Sequence, residues 1–413
     1  MDINKERSRV KVALLLEDAL AILLEKIQLQ GKQRIPLTEC YQRVLAEDIV
    51  TAMDFPPFDR SPLDGYALRR LDVQQASPAR PVRLKQVDNV PAGSWPVKKI
   101  EAGQTARIMT GAGIPEGADA VVRLEDVEVQ QDTVSIFAPA GPASICKQGE
   151  EIHKGESVLQ QGIVLRDGAL GLLAMLGQTE PLVYHQPKVA VLATGTELIG
   201  VDQPLSPGKI RNSNTYMLMA KIREAGCQPV LLGHVSDDLE LMAEKIKGHN
   251  NMDMYITTGG ASVGDCDLMA QLFAKLNIPI LFTRVAMKPG MPVIAGLWQD
   301  TLLVALSGNP AAANVSFEVL LRPLLKKMAG AAVFERPRIR AKLKSPFTKA
   351  SPSRRFIWAH CEFENGVLYA EPMGFQGNGM LSGIVLANAL VDIPANSGEL
   401  QSGAEVAAWL LVE

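Results

Sequence analysis

Five cysteines in 413 residues, at 40, 146, 227, 266 and 361, stand too far apart for a paired spacing. That argues against a zinc site or a disulfide framework and fits a reducing, cytoplasmic setting. The five histidines form no patterned motif, so a histidine-based triad or metal cage is not expected. There is no phosphate-binding GxxxxGK[ST] loop and no HExxH. No apolar run approaches the ~18 residues of a membrane helix. The early stretch Val12–Leu16 is interrupted at once by Glu17 and Asp18, against a signal peptide. A net charge of −3 gives no sign of a nucleic-acid binder, so any phosphate site must be local. Chemistry therefore falls to Asp, Glu, Lys, hydroxyls and backbone N–H groups, a set suited to Mg²⁺-assisted handling of phosphorylated or oxyanionic substrates.

At this length, and with 47% apolar residues, two to four ordinary domains are expected. Residues 11–29 have apolar positions at helical spacing, and Leu37–Glu47 reads as a second short helix. Residues 54–67, DFPPFDRSPLDGYA, read as a loop, with Asp59 and Asp64 either turn caps or functional groups. Short β segments follow over 80–146, and Gly168–Leu176 reads as a helix. From 187 to 330 strands alternate with helices, predicting a doubly wound, mostly parallel sheet. Four loops at its C-terminal strand ends, 194–197, 236–238, 257–267 and 307–310, then mark the ligand side. Residues 336–413 return to β structure, with a hairpin signal at Asn365-Gly366.

The centre of this pattern is 250–315. One strand ends in the loop Thr257–Asp267, which holds Gly259, Gly260, Gly264, Ser262, Asp265 and Asp267. Another ends at Ser307-Gly308-Asn309-Pro310, where Pro310 suits a first helical turn. Lys288-Pro289-Gly290 lies between. Glycines let backbone approach a ligand, and helix starts offer N–H groups to anions. Carboxylates in such a place imply a bridging cation, or else simple N-caps; Asp267 fits either role.

FDRSPLDGYA (58–67), RIMTGAGIPEGADAVV (107–122), GEEI (149–152), ATGTEL (193–198), TTGGASVGDCD (257–267), KPGMP (288–292) and LSGNPAAA (306–313) occur in this order. Together they resemble the molybdopterin molybdotransferases, the molybdenum insertases of the MoeA and gephyrin E-domain type. The resemblance spans essentially the whole chain. It implies a multidomain α/β homodimer with a molybdopterin-binding doubly wound domain (186–331). A discontinuous N-terminal helical and linker domain (8–48 and 147–185), a small β domain (49–146) and a C-terminal β-barrel-like domain (335–413) complete it.

The resemblance also implies a reaction: molybdate and adenylylated molybdopterin give molybdenum cofactor and AMP, with Mg²⁺. A molybdopterin adenylyltransferase would deliver the substrate; neither nucleic acid nor membrane is involved. Asp64 and Thr110 would come from one subunit. Glu197, Asp237, Ser262, Asp267, Arg284, Lys288, Asn309 and Pro310 would come from the other. The expected catalytic set is Asp64, Thr110, Asp267, Lys288 and Arg284. Substrate binding falls to Gly259, Gly260, Ser262, Gly264, Ser307, Gly308, Asn309, Pro310 and Glu151, and metal binding to Glu197, Asp237 and Asp267. For Glu197 a plain first-turn helix carboxylate is the competing role.

The chain departs from the family pattern in places. Met291 stands where KPGKP has its second lysine, and GED is GEE with Glu151. Ala359 stands for the second arginine of G-R-x-x-F-x-R, and Asn378 for a serine. Fewer cations weaken an oxyanion site, unless Arg354 or Arg355 compensates. The alternatives are a paralogue handling tungstate or hydrolysing nucleotide, and a gephyrin-like scaffold.

Overall fold

The structure is a computed structural model. It describes residues 13–141, 144–260, 266–374 and 381–411, with the side chains of Cys266 and Asp267 outside the description. The chain divides into two compact units, one of residues 48–160 and one built from the residues up to 47 together with 161–413.

In the larger unit six strands form one sheet in the order Gln228–Val235, Lys188–Thr194, Met254–Thr258, Thr301–Leu306, Pro292–Trp298, Ile280–Arg284. The first four are parallel; the last two run antiparallel to their neighbours. Lys188–Thr194 is almost wholly apolar because both faces are covered. On one face Val189 and Val191 pack with Leu218 and Ile222 of the helix Asn214–Glu224. On the other, Ala190 and Leu192 pack with Met242 and Ile246 of Leu239–Lys247 and with Met269 and Phe273 of Cys266–Lys275. The chain leaves the strand Lys188–Thr194 to one side and returns on the other, so the switch point lies between the ends of Lys188–Thr194 and Met254–Thr258.

Residues after 336 form a closed five-stranded barrel, Arg354–Glu364 meeting both Val367–Pro372 and Ala389–Ile393. The two-residue strand Met287–Lys288 adds to its edge in parallel with Arg354–Glu364. Asn365 and Gly366, with φ of 51° and 79°, make the expected hairpin turn. The N-terminal helix, Leu16–Lys26, is shorter than expected and buries Leu16, Ala19 and Leu23.

Two expectations fail locally. Leu37–Glu47 is no helix: a 3-10 turn at Leu37–Glu39 gives way to a turn at Gln42 (φ 60°), and Val44 and Leu45 bridge Val164 and Val183. Tertiary pairing of these apolar residues outweighs their local propensity. In the smaller unit, the end of the supposed loop 54–67 is a strand, Gly65–Leu68, buried throughout within a six-stranded sheet. No helix among the described residues is long and apolar enough to cross a membrane.

Candidate active site

The C-terminal ends of the parallel strands converge at the switch point. An added Cβ at Gly259 (φ 103°) would lie 1.9 Å from Thr194 O, and one at Gly308 would lie 3.1 Å from Gly259 Cα. Only glycine allows strand ends this close. Asn214, at the start of its helix, locks them from below. Its Nδ2 donates to Thr258 Oγ1 (2.9 Å) and to Gly308 O (2.8 Å), and Thr258 Oγ1 donates to Ser307 O (3.1 Å). Thr258 therefore belongs to the strand rather than to the loop, its hydroxyl serving the scaffold.

Above these ends opens a cleft of about 810 Å³. One side carries carboxylates. Asp237 is oriented by Thr194 Oγ1, which donates to Oδ1 (2.9 Å), and by Thr196, whose N and Oγ1 both donate to Oδ2 (3.2 and 3.1 Å). Glu197 folds over Gly195, where a Cβ would stand 2.6 Å from either carboxyl oxygen. It starts no helix: the chain passes directly into the short strand Leu198–Ile199. The role of a first-turn helix carboxylate is thereby excluded for Glu197, and an exposed carboxylate is left on the cleft wall.

The floor is the loop 307–309. Asn309 caps the helix Pro310–Ser316, its side chain accepting from Ala311 N (3.1 Å) and Ala312 N (3.4 Å), with Pro310 in the first turn as expected. The helical path continues through a π segment, Phe317–Leu321, and Arg322–Met328. The opposite side carries cations: Lys288, Lys349 and Arg355 line the cleft together with Met291, Phe347 and Trp358. Gly290 (φ 94°) passes so close to the long helix that a Cβ would stand 2.4 Å from Ser316 Oγ, which fixes the Lys288 loop against the floor.

Of the expected residues, Gly259, Gly260, Glu197, Asp237, Lys288, Ser307, Gly308 and Asn309 line this cleft. Pro310 lines a smaller void of about 60 Å³ beneath it. Arg284 ends the edge strand, its carbonyl accepting from Leu14 N (3.0 Å), and is not among the lining residues. Ser262, Gly264, Asp265, Asn378 and the side chain of Asp267 lie outside the described residues. Among the described residues no cluster of three or more His, Cys, Asp or Glu stands ready for a metal ion. Glu197 and Asp237 both line the cleft, and two carboxylates fit magnesium, which keeps most of its waters and takes one or two protein carboxylates. Sequence reading missed Asn214, Lys349 and Phe347. The only signal for Asn214 was an amide just ahead of an amphipathic helix.

The smaller unit carries a separate constellation. Asp64 Oδ1 accepts from Thr110 N (2.7 Å) and Thr110 Oγ1 (2.8 Å). The Thr110 backbone bond, its hydroxyl and nearby Arg107 hold this exposed carboxyl below the usual range. Gly65 must be glycine, since a Cβ would lie 2.0 Å from Val122 O. Asp59 is a tether, accepting from Lys147 Nζ (2.7 Å) and Gln148 N (2.9 Å). Glu151 sits in the turn below, its N donating to Phe55 O (3.0 Å).

The chain matches three family models in succession: the MoeA N-terminal region, domains I and II, over 14–177; a probable molybdopterin binding domain over 190–327; and the MoeA C-terminal region, domain IV, over 340–411. It is 38% identical over 396 residues to the molybdopterin molybdenumtransferase of Bacillus subtilis, covering 94% of this chain and 91% of the relative. A Staphylococcus aureus molybdopterin molybdenumtransferase is 38% identical over 371 residues, 89% of this chain and 88% of the relative. Among solved structures, a molybdopterin biosynthesis MoeA protein from Pyrococcus horikoshii superposes with a TM-score of 0.83 at 32% identity, over 97% of this chain and all of the other. The order of motifs, the switch-point cleft and these matches agree, and the chain belongs to the molybdopterin molybdenumtransferase (MoeA) family.

Proposed function

We propose that this protein inserts molybdate into adenylylated molybdopterin in the cleft at the switch point, releasing AMP. As a molybdopterin molybdenumtransferase it is a transferase of molybdenum cofactor biosynthesis. The observation that carries the finer reading is the polarity of the cleft: Glu197 and Asp237 on one wall, Lys288, Lys349 and Arg355 on the other, and the glycine floor between. A substrate with a pyrophosphate and an approaching oxyanion needs both walls. Glycine-lined backbone lets phosphate oxygens come within hydrogen-bond reach of N–H groups, and the helix beginning at Pro310 adds its positive end.

Lys288 neutralises anionic charge as a point cation on a flexible stem. Glu197 and Asp237 would hold Mg²⁺, which when bound supplies the charge that lets two carboxylates face a phosphate. The three hydrogen bonds to Asp237 hold its carboxyl in one orientation before any ligand arrives, so less ordering is needed on binding. Asp64 and Thr110 belong to the smaller unit, and we assign them to the site of the partner subunit in a cytoplasmic homodimer. A molybdopterin adenylyltransferase is the expected donor of the substrate.

The test is incubation of the pure protein with adenylylated molybdopterin, Mg²⁺ and either molybdate or tungstate, following AMP. Release that requires both Mg²⁺ and molybdate is expected; release independent of any oxyanion would make the protein a nucleotide hydrolase. Light scattering at micromolar protein should give a dimer, and a fully active monomer would remove the partner's Asp64 from the site.

A further inference from the structure

Glu197 and Asp237 stand on the same wall of the cleft but are held differently. Asp237 accepts three hydrogen bonds, whereas the Glu197 carboxyl has no hydrogen-bond or ion-pair partner among the described residues. That carboxyl lies against Gly195, where an added Cβ would stand 2.6 Å from either oxygen. Glu197 also lines the void of about 60 Å³ beneath the floor, so it borders both spaces. Asn214 borders the same void and is 7% exposed. Both hydrogens of its amide nitrogen are spent, on Thr258 Oγ1 (2.9 Å) and Gly308 O (2.8 Å). Its Oδ1 is shut from solvent with no hydrogen-bond partner among the described residues. Turning the amide round gives no relief, because Gly308 O can only accept.

A buried acceptor left unpaired is costly, so a donor belongs beside Asn214 Oδ1. The void has the size and the lining for water. At roughly 30 Å³ a molecule it takes one or two, and Thr194, Asn212, Ser213 and Thr258 give it polar walls. Charge argues against an ion. Ser213 and Asn214 open the helix Asn214–Glu224, whose positive end disfavours a cation, and Glu197 disfavours an anion. We propose that the void holds an ordered water that donates one hydrogen to Asn214 Oδ1 and the other to the Glu197 carboxyl, and that Asn214 is thereby a positioning residue for the cleft. Through Nδ2 it fixes the glycine floor. Through the water it orients the wall carboxylate that no described side chain holds. The consequence for catalysis rests on the assignment of Glu197 to Mg²⁺ made above; the water link does not.

A crystal structure of the full-length protein tests the link directly. Density in the void within about 3.2 Å of both Asn214 Oδ1 and the Glu197 carboxyl is expected. An empty void, or a water that reaches only one of the two, overturns the proposal. The positioning role is read from AMP release against Mg²⁺ concentration, together with melting curves. Asn214→Ala should raise the Mg²⁺ concentration at half-maximal release roughly 10-fold, the range of one hydrogen bond to a charged group, and should lower the melting temperature. Thr258→Val removes one partner of Asn214 Nδ2 and leaves Oδ1 in place. It should lower the melting temperature with the Mg²⁺ midpoint unchanged. Lower melting temperatures in both variants with the Mg²⁺ midpoint moved in neither would make Asn214 a scaffold residue only and overturn the positioning role. Should Asn214→Ala fail to fold, the density decides. Wild-type release independent of Mg²⁺ would remove Glu197 as a metal ligand, and the positioning role with it, while the density still decides the water.

Discussion

Asn309 separates the architecture of the cleft floor from its electrostatics. Its side-chain oxygen accepts from Ala311 N and Ala312 N, and its residue lines the cleft where the loop 307–309 meets the helix. Asn309→Ala removes the cap, which should cost about 1 kcal/mol of stability and lower the melting temperature by roughly 2 °C in a unit of this size. Asn309→Asp caps as well as asparagine, so its melting temperature should match wild type. It nevertheless adds a unit negative charge beside the proposed phosphate position. At a separation of roughly 6 Å and an effective dielectric near 20, the repulsion is about 3 kcal/mol, or about 100-fold in affinity. Calorimetry with AMP, at 50 and 300 mM salt, is the assay. The expected result is a large loss for Asn309→Asp that shrinks as salt rises, and a small one for Asn309→Ala. If the aspartate variant binds AMP like wild type at low salt, no phosphate lies beside this helix start, and the assignment of the floor is wrong.

Gly259→Ala should abolish AMP release and lower stability, because its Cβ would collide with Thr194 O at 1.9 Å in a left-handed backbone; normal activity would mean that the strand ends are not held this closely. Glu318 is 1% exposed, paired with Lys221 and, at 2.8 Å, with Arg336. Glu318→Gln should cost about 3–5 kcal/mol and several degrees of melting temperature, and a loss under 1 kcal/mol would refute the pairing. Burial alone would raise the Glu318 pKa, but Lys221 and Arg336 outweigh it and hold it below the ordinary range. Its stabilising contribution is therefore complete above about pH 4.3 and fades as pH falls through the depressed value. Thr110→Val removes a hydroxyl bond but leaves the Thr110 backbone donor, so the Asp64 pKa, followed by carboxyl-carbon NMR, should rise partway toward the ordinary value; no movement would mean that the hydroxyl bond does not form in solution.

The parallel core was legible because its strands are buried on both faces and so appear as apolar runs, each ending in Gly, Asp or Ser loops. The antiparallel pair Ile280–Arg284 and Pro292–Trp298 was not, since Pro279, Pro289, Pro292 and Gly296 break the pattern that announces a strand. Thr257 and Thr258 read as loop hydroxyls but are buried strand residues, bonded to Met269 Sδ (3.5 Å) and Ser307 O. The four residues Gly65–Leu68 are too few to show a period, and a preceding Asp-Gly disguised them as turn. In each case the missing information is a long-range partner that a local pattern does not contain.

The same limit explains the two adjacent arginines at the barrel edge. As letters, Arg354 and Arg355 are interchangeable, and either could be offered as the charge compensating Met291. Strand geometry distinguishes them, because successive side chains leave a strand on opposite faces. Arg354 leaves toward Asp392 and Glu17 and is spent there, tying the barrel to the N-terminal helix. Arg355 leaves toward the cleft, in register with Lys288. A shift of one residue in that pairing would exchange the two, sending the carboxylate-bound arginine to the ligand and the free one to the carboxylates. The two-residue strand Met287–Lys288 therefore does more than extend a sheet. It sets which arginine reaches the cleft, and its position two residues before Gly290 ties that choice to the floor on which the substrate would rest.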